Sequence, residues 1–160
     1  MGVTTITQEF TTPIAPSRMF KALIVDSHNL IPKIAPEGIK SIEFVKGDGG
    51  AGSIKVTNFA NGGHLKFLKH RIDALDTENL ACKHTLIEGD VIFDKIELVV
   101  YEVQFLASDN GGCVCKMSSE YHTNRDVELK EEDIKQGKEK AMGLYKVVEE
   151  FLSANPDAYA

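Results

Sequence analysis

Apolar and polar residues alternate along most of the chain before residue 121, and this pattern predicts a fold rich in β-strands. Residues 3–11 alternate in the way that a strand with one buried face does. From Lys40 to Tyr121, alternating runs are separated by short turn sequences rich in Gly, Asp and Asn. Connections this short favour antiparallel neighbours, because a parallel crossover needs about a dozen residues or more. This region therefore predicts six further strands, joined as a meander.

Helical spacing between the first strand and this meander predicts two short helices. The first follows Pro16 and carries apolar residues from Met19 to Ile24. The second extends from Ser27 to Lys33 and ends before Pro36, because the residue that precedes a proline disfavours helical geometry.

The segment from Lys130 to Ala154 predicts one long helix. Acidic residues at 131–133 suit the positive end of the helix dipole, and Pro156 stops the helix from continuing. Its apolar stripe is sparse in the first half and broad in the second, and consists of Ile134, Ala141, Met142, Tyr145, Val148 and Leu152. We expect close packing near the C-terminal end and loose packing near the start.

Together these elements predict an α+β fold in one ligand-binding domain, residues 1–160. A seven-stranded curved antiparallel sheet would wrap around the long C-terminal helix, with the two short helices after the first strand. A sheet of this size twists and curls, and a single helix fills only part of its concave side. The remaining space would form an internal cavity, which is a default ligand site.

The composition and charge of the chain limit the kinds of molecule that it is expected to bind. The chain is 42% hydrophobic and 26% charged, with a formal net charge of -6, so it repels polyanions and nucleic acid is not expected as its main partner. It begins without a basic and apolar leader pattern, and it has no apolar run of about 18 residues. We expect a cytoplasmic monomer that does not bind membranes.

Neither metal nor cofactor is predicted. Cys82, Cys113 and Cys115 form an odd set without CxxC spacing, which indicates free, buried thiols. The histidines show no ligand spacing, and exposed or strand-edge positions are expected for His28, His64, His70 and His122.

The glycine-rich stretch from Gly47 to Gly52 has two interpretations. It resembles a phosphate-binding loop, yet it lacks the Gly-Lys-Ser/Thr ending and precedes a strand instead of a helix. A rigid turn whose glycines supply positive φ angles is the favoured interpretation. On that basis, replacing Gly50 with valine is expected to cost stability and leave ligand affinity unchanged.

Short signatures in this order and at this spacing resemble the plant intracellular pathogenesis-related family of class ten, typified by the major birch pollen allergen. They are MGV at 1–3, FKA at 20–22, NLIPK at 29–33, GDGGAGSIK at 47–55, IEGD at 87–90, NGG at 110–112, YHT at 121–123 and NPDAY at 155–159. The resemblance covers the whole chain. It implies the same fold with a large cavity, a defence-linked cytosolic role, and binding of flavonoids, cytokinins, sterols or fatty acids.

Alternation along the strands selects the residues that would line the cavity, and the family's pocket positions follow the same alternation. The candidates on the strands are Leu65, Phe67, Lys69, Cys82, His84, Leu86, Val99, Tyr101, Val103, Cys115, Met117 and Ser119. Floor and mouth would be closed by Leu23, Ile39 and Phe59, and the long helix would contribute Gly137, Lys138, Ala141 and Leu144. His84 and Tyr101 would each need a polar partner, which a ligand hydroxyl or a water molecule could supply.

Enzymatic alternatives also come from the resemblance. Lys55, Glu97 and Glu149 match positions proposed in the family for ribonuclease activity, but the tyrosine expected after the second glutamate is Phe151 here. Surface ion pairing is the preferred explanation of these charges. A second branch of the fold condenses amines with aldehydes, and Lys69, Lys138 and Tyr101 are possible parts of such a site. No catalytic residue is assigned.

Overall fold

Strands account for most of the fold. The computed structural model describes residues 2–60, 66–89, 96–124 and 130–160, without the side chains of residues 133, 136 and 137. The strands are β1 (Gly2–Thr12), β2 (Ile39–Lys46), β3 (Ile54–Phe59), β4 (Phe67–Asp76), β5 (Ala81–Gly89), β6 (Ile96–Ala107) and β7 (Cys113–Thr123). They form one seven-stranded antiparallel sheet in the order β1-β7-β6-β5-β4-β3-β2. The predicted meander and fold class are confirmed.

The helices follow the predicted order. Helix α1 (Pro16–Phe20) begins with a proline, whose missing N–H costs nothing in the first turn of a helix, and it continues into a π-helical turn, Lys21–Val25. Helix α2 (Ser27–Ile34) follows, and the long α3 spans Glu131–Ala154. The predicted second helix and long helix are confirmed to within a residue at each end.

The core lies where α1, α2 and the C-terminal half of α3 meet the sheet. Tyr145 of α3 contacts Phe10 of β1 edge-on, with ring centroids 5.7 Å apart, and stacks on Phe105 of β6 at 6.5 Å. Phe20 of α1 meets the same Phe105 edge-on at 5.8 Å. Cys82, Cys113 and Cys115 are free and buried, as predicted.

Helix α3 packs unevenly, as its apolar stripe predicts. Among the side chains of α3 that the structure describes, the buried ones are Tyr145, Val148 and Leu152, all in the second half. Lys138 and Ala141 belong to the same stripe by their spacing, yet both are only half-buried. The first half of the helix therefore covers the sheet less closely than the second.

Arg18 of α1 ties the C-terminal segment to the helical end of the fold. Its guanidinium group donates to the carbonyl oxygens of Leu152 at 3.0 Å, Asn155 at 2.9 Å and Ala158 at 3.0 Å. The last carbonyls of a helix have no partner within it, so this side chain satisfies groups at the end of α3.

The loop between β2 and β3 is a rigid turn. Gly47, Gly49 and Gly52 have φ angles of 77°, 111° and 88°, which confirms that glycine supplies the left-handed positions here. Gly50 is not one of these positions, because its φ is not positive and the nearest atom to an added Cβ lies 3.7 Å away, so the stated reason for a stability loss on its replacement does not apply. At Gly47 an added Cβ would lie 2.3 Å from Ser53 Oγ, so Gly47 is the glycine that the turn requires.

Candidate functional site

A row of polar side chains crosses the inner face of the sheet, which is the face that meets the core. Lys55 of β3 pairs with His70 of β4, and His84 of β5 pairs with Tyr101 of β6, which in turn pairs with Ser119 of β7. Residues directly opposite each other on antiparallel strands share a face. We call Lys55, His70, His84, Tyr101 and Ser119 the inner polar band.

Three rings of the inner polar band form a continuous cluster. The His70 and His84 rings meet edge-on with centroids 5.3 Å apart, and His84 stacks on Tyr101 at 5.1 Å with an angle of 22° between the ring planes. His70 and Tyr101 lie 5.9 Å apart. These contacts hold the rings in fixed orientations, so they offer a preformed aromatic and polar surface.

Apolar residues flank the inner polar band. The main core cluster includes Ile72, Cys82, Val103 and Cys115, with Met117 packed against it. A second cluster consists of Leu86, Ile96 and Val99, with Leu68, Tyr101 and Tyr121 against it. A molecule held against this face would meet apolar surface and a few polar groups, which is the usual make-up of a small-molecule site.

Side chains of the inner polar band border an internal space. Lys55, His70, His84 and Tyr101 are surrounded by protein on nearly every side, yet each keeps some solvent-accessible surface. A side chain that is packed against protein on all sides has no solvent-accessible surface. A side chain on the outer surface of the protein is not surrounded by other residues. The combination indicates that these groups line a space on the inner face of the sheet, which we call the inner space.

Burial keeps the imidazoles of the inner space neutral. Loss of solvation, with a smaller effect of the positive charge on Lys55, lowers the pKa of His84 to about 3. Desolvation also brings the pKa of His70 well below its ordinary value, aided by His84 and Lys55. Burial raises the pKa of Tyr101, so its hydroxyl is protonated at neutral pH. Each ring therefore offers neutral hydrogen-bonding groups.

Two polar groups of the inner polar band have no partner among the described residues. His70 Nδ1 is buried without a hydrogen bond to any described residue. Within the described ranges, Lys55 likewise forms neither an ion pair nor a hydrogen bond, and desolvation lowers its pKa. Buried polar groups are normally satisfied, so unpartnered ones beside an open space are candidates for contact with a ligand or water.

The structure places most of the predicted lining residues on the inner face or beside it. On the strands these are Ile39, Phe59, Cys82, His84, Leu86, Val99, Tyr101, Val103, Cys115, Met117 and Ser119. Leu23 is buried in the core beneath, and Leu144 is partly buried against it. Leu65 lies outside the described residues, as does any detail of Gly137. Binding by these residues stays a prediction.

For β4 the predicted face was wrong. Phe67 and Lys69 lie on the outer face, where Lys69 Nζ bonds Glu88 at 2.9 Å. The inner positions are Leu68 and His70 instead. Apolar residues occur in both sets of alternate positions on this strand, so alternation alone did not identify which set faces the core.

Lys55 and His70 are the site residues that the sequence interpretation missed. Lys55 was assigned to a surface ion pair and His70 to an exposed position, and both lie against the inner space. His28 is not exposed either, since its ring packs edge-on against Phe44 at 4.9 Å and its Nδ1 is buried. A signal for Lys55 existed: Phe59 was assigned to the inner face, and alternation along β3 puts Lys55 on the same face.

The residues proposed for ribonuclease activity have separate environments. Lys55 faces the inner space, whereas Glu97 is exposed. Glu149 bonds Lys146 Nζ at 3.1 Å on α3, as the ion-pair interpretation expected. The aldehyde-condensing alternative loses Lys69, which is on the outer face.

Three amide hydrogens of the glycine-rich loop are occupied by protein acceptors. Gly49 N–H donates to Ser53 Oγ at 2.9 Å, Gly50 N–H to Asp48 Oδ1 at 3.3 Å, and Gly52 N–H to the Ile72 carbonyl at 2.7 Å. A phosphate would need those hydrogens, and it would meet the Asp48 carboxylate as well. The loop is therefore not a phosphate site.

The outer face of the sheet carries an open depression of about 650 Å3 between β1, β7, β6, β5 and β4. Charged residues such as Lys83, Glu102 and Lys116 line it. A small apolar molecule would gain little burial there, so the inner space is the better candidate site.

The described ranges contain neither a metal-ligand cluster nor a helix suited to a membrane. No cluster of three or more His, Cys, Asp or Glu side chains in that part of the chain is arranged to hold a metal ion. None of the helices described there is both long and apolar enough to cross a bilayer.

Sequence relatives match the chain from end to end. It is 52% identical over 159 residues to the major allergen Pru ar 1 of Prunus armeniaca, covering 99% of each protein. It is 53% identical over 160 residues to the pathogenesis-related protein STH-2 of Solanum tuberosum, covering 100% of each.

Solved structures share the fold. The crystal structure of Ara h 8.0201 superposes with a TM-score of 0.87 at 34% identity, covering 96% of this chain and all of that one (100%). Norcoclaurine synthase from Thalictrum flavum, in complex with dopamine and hydroxybenzaldehyde, gives 0.78 at 21% identity over 96% of this chain and 88% of that one, which shows likeness of fold alone. The family model for the pathogenesis-related protein Bet v 1 family matches residues 1–155, and the chain belongs to this family.

Proposed function

We propose that this protein binds small amphipathic molecules, mostly aromatic ones, in the inner space between the sheet and α3. The observation that carries the proposal is the inner polar band, a row of polar groups that lies between two apolar clusters and includes His70 Nδ1 and the Lys55 ammonium without partners among the described residues. Flavonoids, cytokinins, sterols and fatty acids are the ligand classes to test. The role is a defence-related carrier or buffer that acts without chemistry of its own.

Burial of apolar surface would supply most of the affinity. Each Å2 of ring surface removed from water contributes roughly 25 cal/mol, before the cost of immobilising the ligand. His84 and Tyr101 would orient the ligand, because a hydroxyl that reaches the polar edges of the two stacked rings can both donate and accept. Each buried polar group that gains a partner avoids a penalty of about 1–3 kcal/mol.

Displacement of a neutral fluorescent probe tests this proposal. N-phenyl-1-naphthylamine should show saturable, one-to-one fluorescence enhancement, and members of at least one ligand class should displace it. A matched pair of variants locates the site: Ser119→Phe fills the inner face, whereas Ser118→Phe places the same bulk on the outer face. We expect weaker probe binding in the first variant only.

Two results would overturn the proposal. One is the absence of saturable binding by the probe and by every ligand class. The other is equal binding by the Ser119→Phe and Ser118→Phe proteins, both folded, because the probe would then bind elsewhere.

We place this activity in the cytoplasm. The family assignment and the absence of a membrane-spanning helix among the described residues are compatible with that location. Fractionation of cells that express the untagged chain should recover it with cytosolic markers; recovery with secreted or membrane fractions would overturn this part.

A further inference from the structure

One positive charge stands out within the inner space. Lys55 projects from β3 beside His70, and no described carboxylate bonds to it. Among the described residues, Asp73 is the carboxylate whose charge acts on the inner polar band, through its effect on His84. Asp73 is already bonded to Arg71 Nε at 2.7 Å and to the Thr85 hydroxyl. It is therefore committed to other partners.

The imidazoles do not change this charge balance. His70 and His84 are neutral at physiological pH, so the inner polar band carries the charge of Lys55 alone. A neutral imidazole has one N–H donor, which either ring nitrogen can carry, so a ring held in place can still present a donor from the nitrogen that faces a bound anion. His70 Nδ1 is without a partner and has this capacity free.

A cation enclosed by apolar surface is costly unless an anion accompanies it. Neutral ligands would leave Lys55 uncompensated, whereas a ligand with one negative charge would form an ion pair shielded from water. The apolar clusters on either side of the inner polar band supply surface for the rest of such a molecule.

We infer that the preferred occupant of the inner space is an organic anion, with an aromatic or aliphatic body against the apolar walls and a carboxylate that pairs with Lys55 and accepts a hydrogen bond from His70 or His84. This inference rests on the proposed function and narrows its ligands to acids. Among the ligand classes named above, fatty acids and other carboxylates would then bind ahead of neutral sterols.

Two probes of nearly equal size and shape test the preference. 2-Naphthoate is an anion at neutral pH, and 2-naphthamide is its neutral counterpart. In competition with N-phenyl-1-naphthylamine, the naphthoate should bind the wild-type protein at least about tenfold more tightly than the amide.

Variants assign that preference to Lys55. Lys55→Met keeps the length of the side chain and removes the charge, so naphthoate affinity should fall by about tenfold while amide affinity stays within about twofold. Lys83→Met makes the same change on the outer face and should keep the wild-type preference. If Lys55→Met does not fold, Lys55→Gln provides the same comparison.

The outcomes separate the two claims. The anion inference is overturned if the wild-type protein binds naphthoate and naphthamide equally, or if Lys55→Met keeps the wild-type preference. In either case, saturable binding of N-phenyl-1-naphthylamine still supports the proposed binding function. Failure of all three compounds to bind overturns both.

Discussion

Lys55 lies directly opposite His70 on the inner face of the sheet, where β3 and β4 pair. A lysine and an imidazole side by side repel each other if both are charged, and burial resolves the conflict by keeping the imidazole neutral. The pair lowers the stability of the folded state, because a charge and an unpartnered nitrogen are enclosed together. We propose that this loss of stability is retained because the pair serves ligand binding. Stability measurements can detect the loss.

Removing the charge of Lys55 should stabilise the protein. Lys55→Met replaces an unpaired enclosed ammonium with an apolar chain of similar length, and we expect the free energy of unfolding to rise by about 1 kcal/mol or more. Urea denaturation monitored by circular dichroism measures this change. The outer-face control Lys83→Met should alter stability by less than about 0.5 kcal/mol. A large loss of stability in Lys55→Met would mean that the ammonium has a protein partner.

His84 should make the protein sensitive to mild acid. Its pKa is about 3 when folded, against 6.5 for an ordinary histidine, so between these values the unfolded chain binds the extra proton. Stability therefore is complete above pH 6.5 and falls as pH decreases toward 3, by up to about 1.4 kcal/mol per pH unit for this residue.

Substitution of His84 isolates that contribution. His84→Phe keeps a ring beside Tyr101 but cannot titrate, so its stability should depend less steeply on pH between 6.5 and about 4. Denaturation midpoints across that range provide the comparison. Parallel profiles for the two proteins would show that His84 does not lie in the buried environment described here.

Two glycines of the β2–β3 loop should differ sharply. Gly47→Ala forces a Cβ to within 2.3 Å of Ser53 Oγ at a φ of +77°, and should cost about 1–3 kcal/mol. Gly50→Ala meets no atom closer than 3.7 Å and should change stability by less than about 0.5 kcal/mol. Thermal and chemical denaturation of both variants tests the contrast; equal costs would contradict this description of the turn.

Arg18 should hold the end of α3 in place. Arg18→Met removes the bonds to the carbonyls of Leu152, Asn155 and Ala158, and we expect a loss of about 1–2 kcal/mol with faster amide exchange in the last turn of α3. Lys21→Met serves as a control, since Lys21 makes only an exposed 3.5 Å contact with the Ala160 carbonyl. Exchange rates that match the wild type in Arg18→Met would contradict the anchoring role.

The order of helices and strands could be predicted from the sequence, but the residues of the site could be predicted only in part. On β6, Val103 and Phe105 alternate with Glu102 and Gln104, so the inner face of that half of the strand could be assigned from the pattern alone. On β4 the pattern fails because Phe67 lies in one phase and Leu68 in the other, and a register shift follows at Ile72. Alternation has no means of choosing between two apolar phases.

Lys55 illustrates a second limit on what can be predicted from the sequence. It stands between Ile54 and Val56, so local sequence suggests a charged residue facing solvent and apolar neighbours facing the core. The opposite arrangement arises from pairing with β2 and β4, where Phe44 and His70 lie opposite Lys55. A polar residue on the inner face is dictated by its neighbours in space and by what it binds, which a single chain does not display.

A crystal of the protein soaked with 6-bromo-2-naphthoate tests the central claim most directly, because anomalous scattering locates the bromine without interpretation of the ligand's shape. We expect one strong peak between the sheet and α3, with the carboxylate about 3 Å from Lys55 Nζ. Bromine found solely on the outside of the sheet, with side chains filling the region between Tyr101 and α3, would contradict the existence of a binding space.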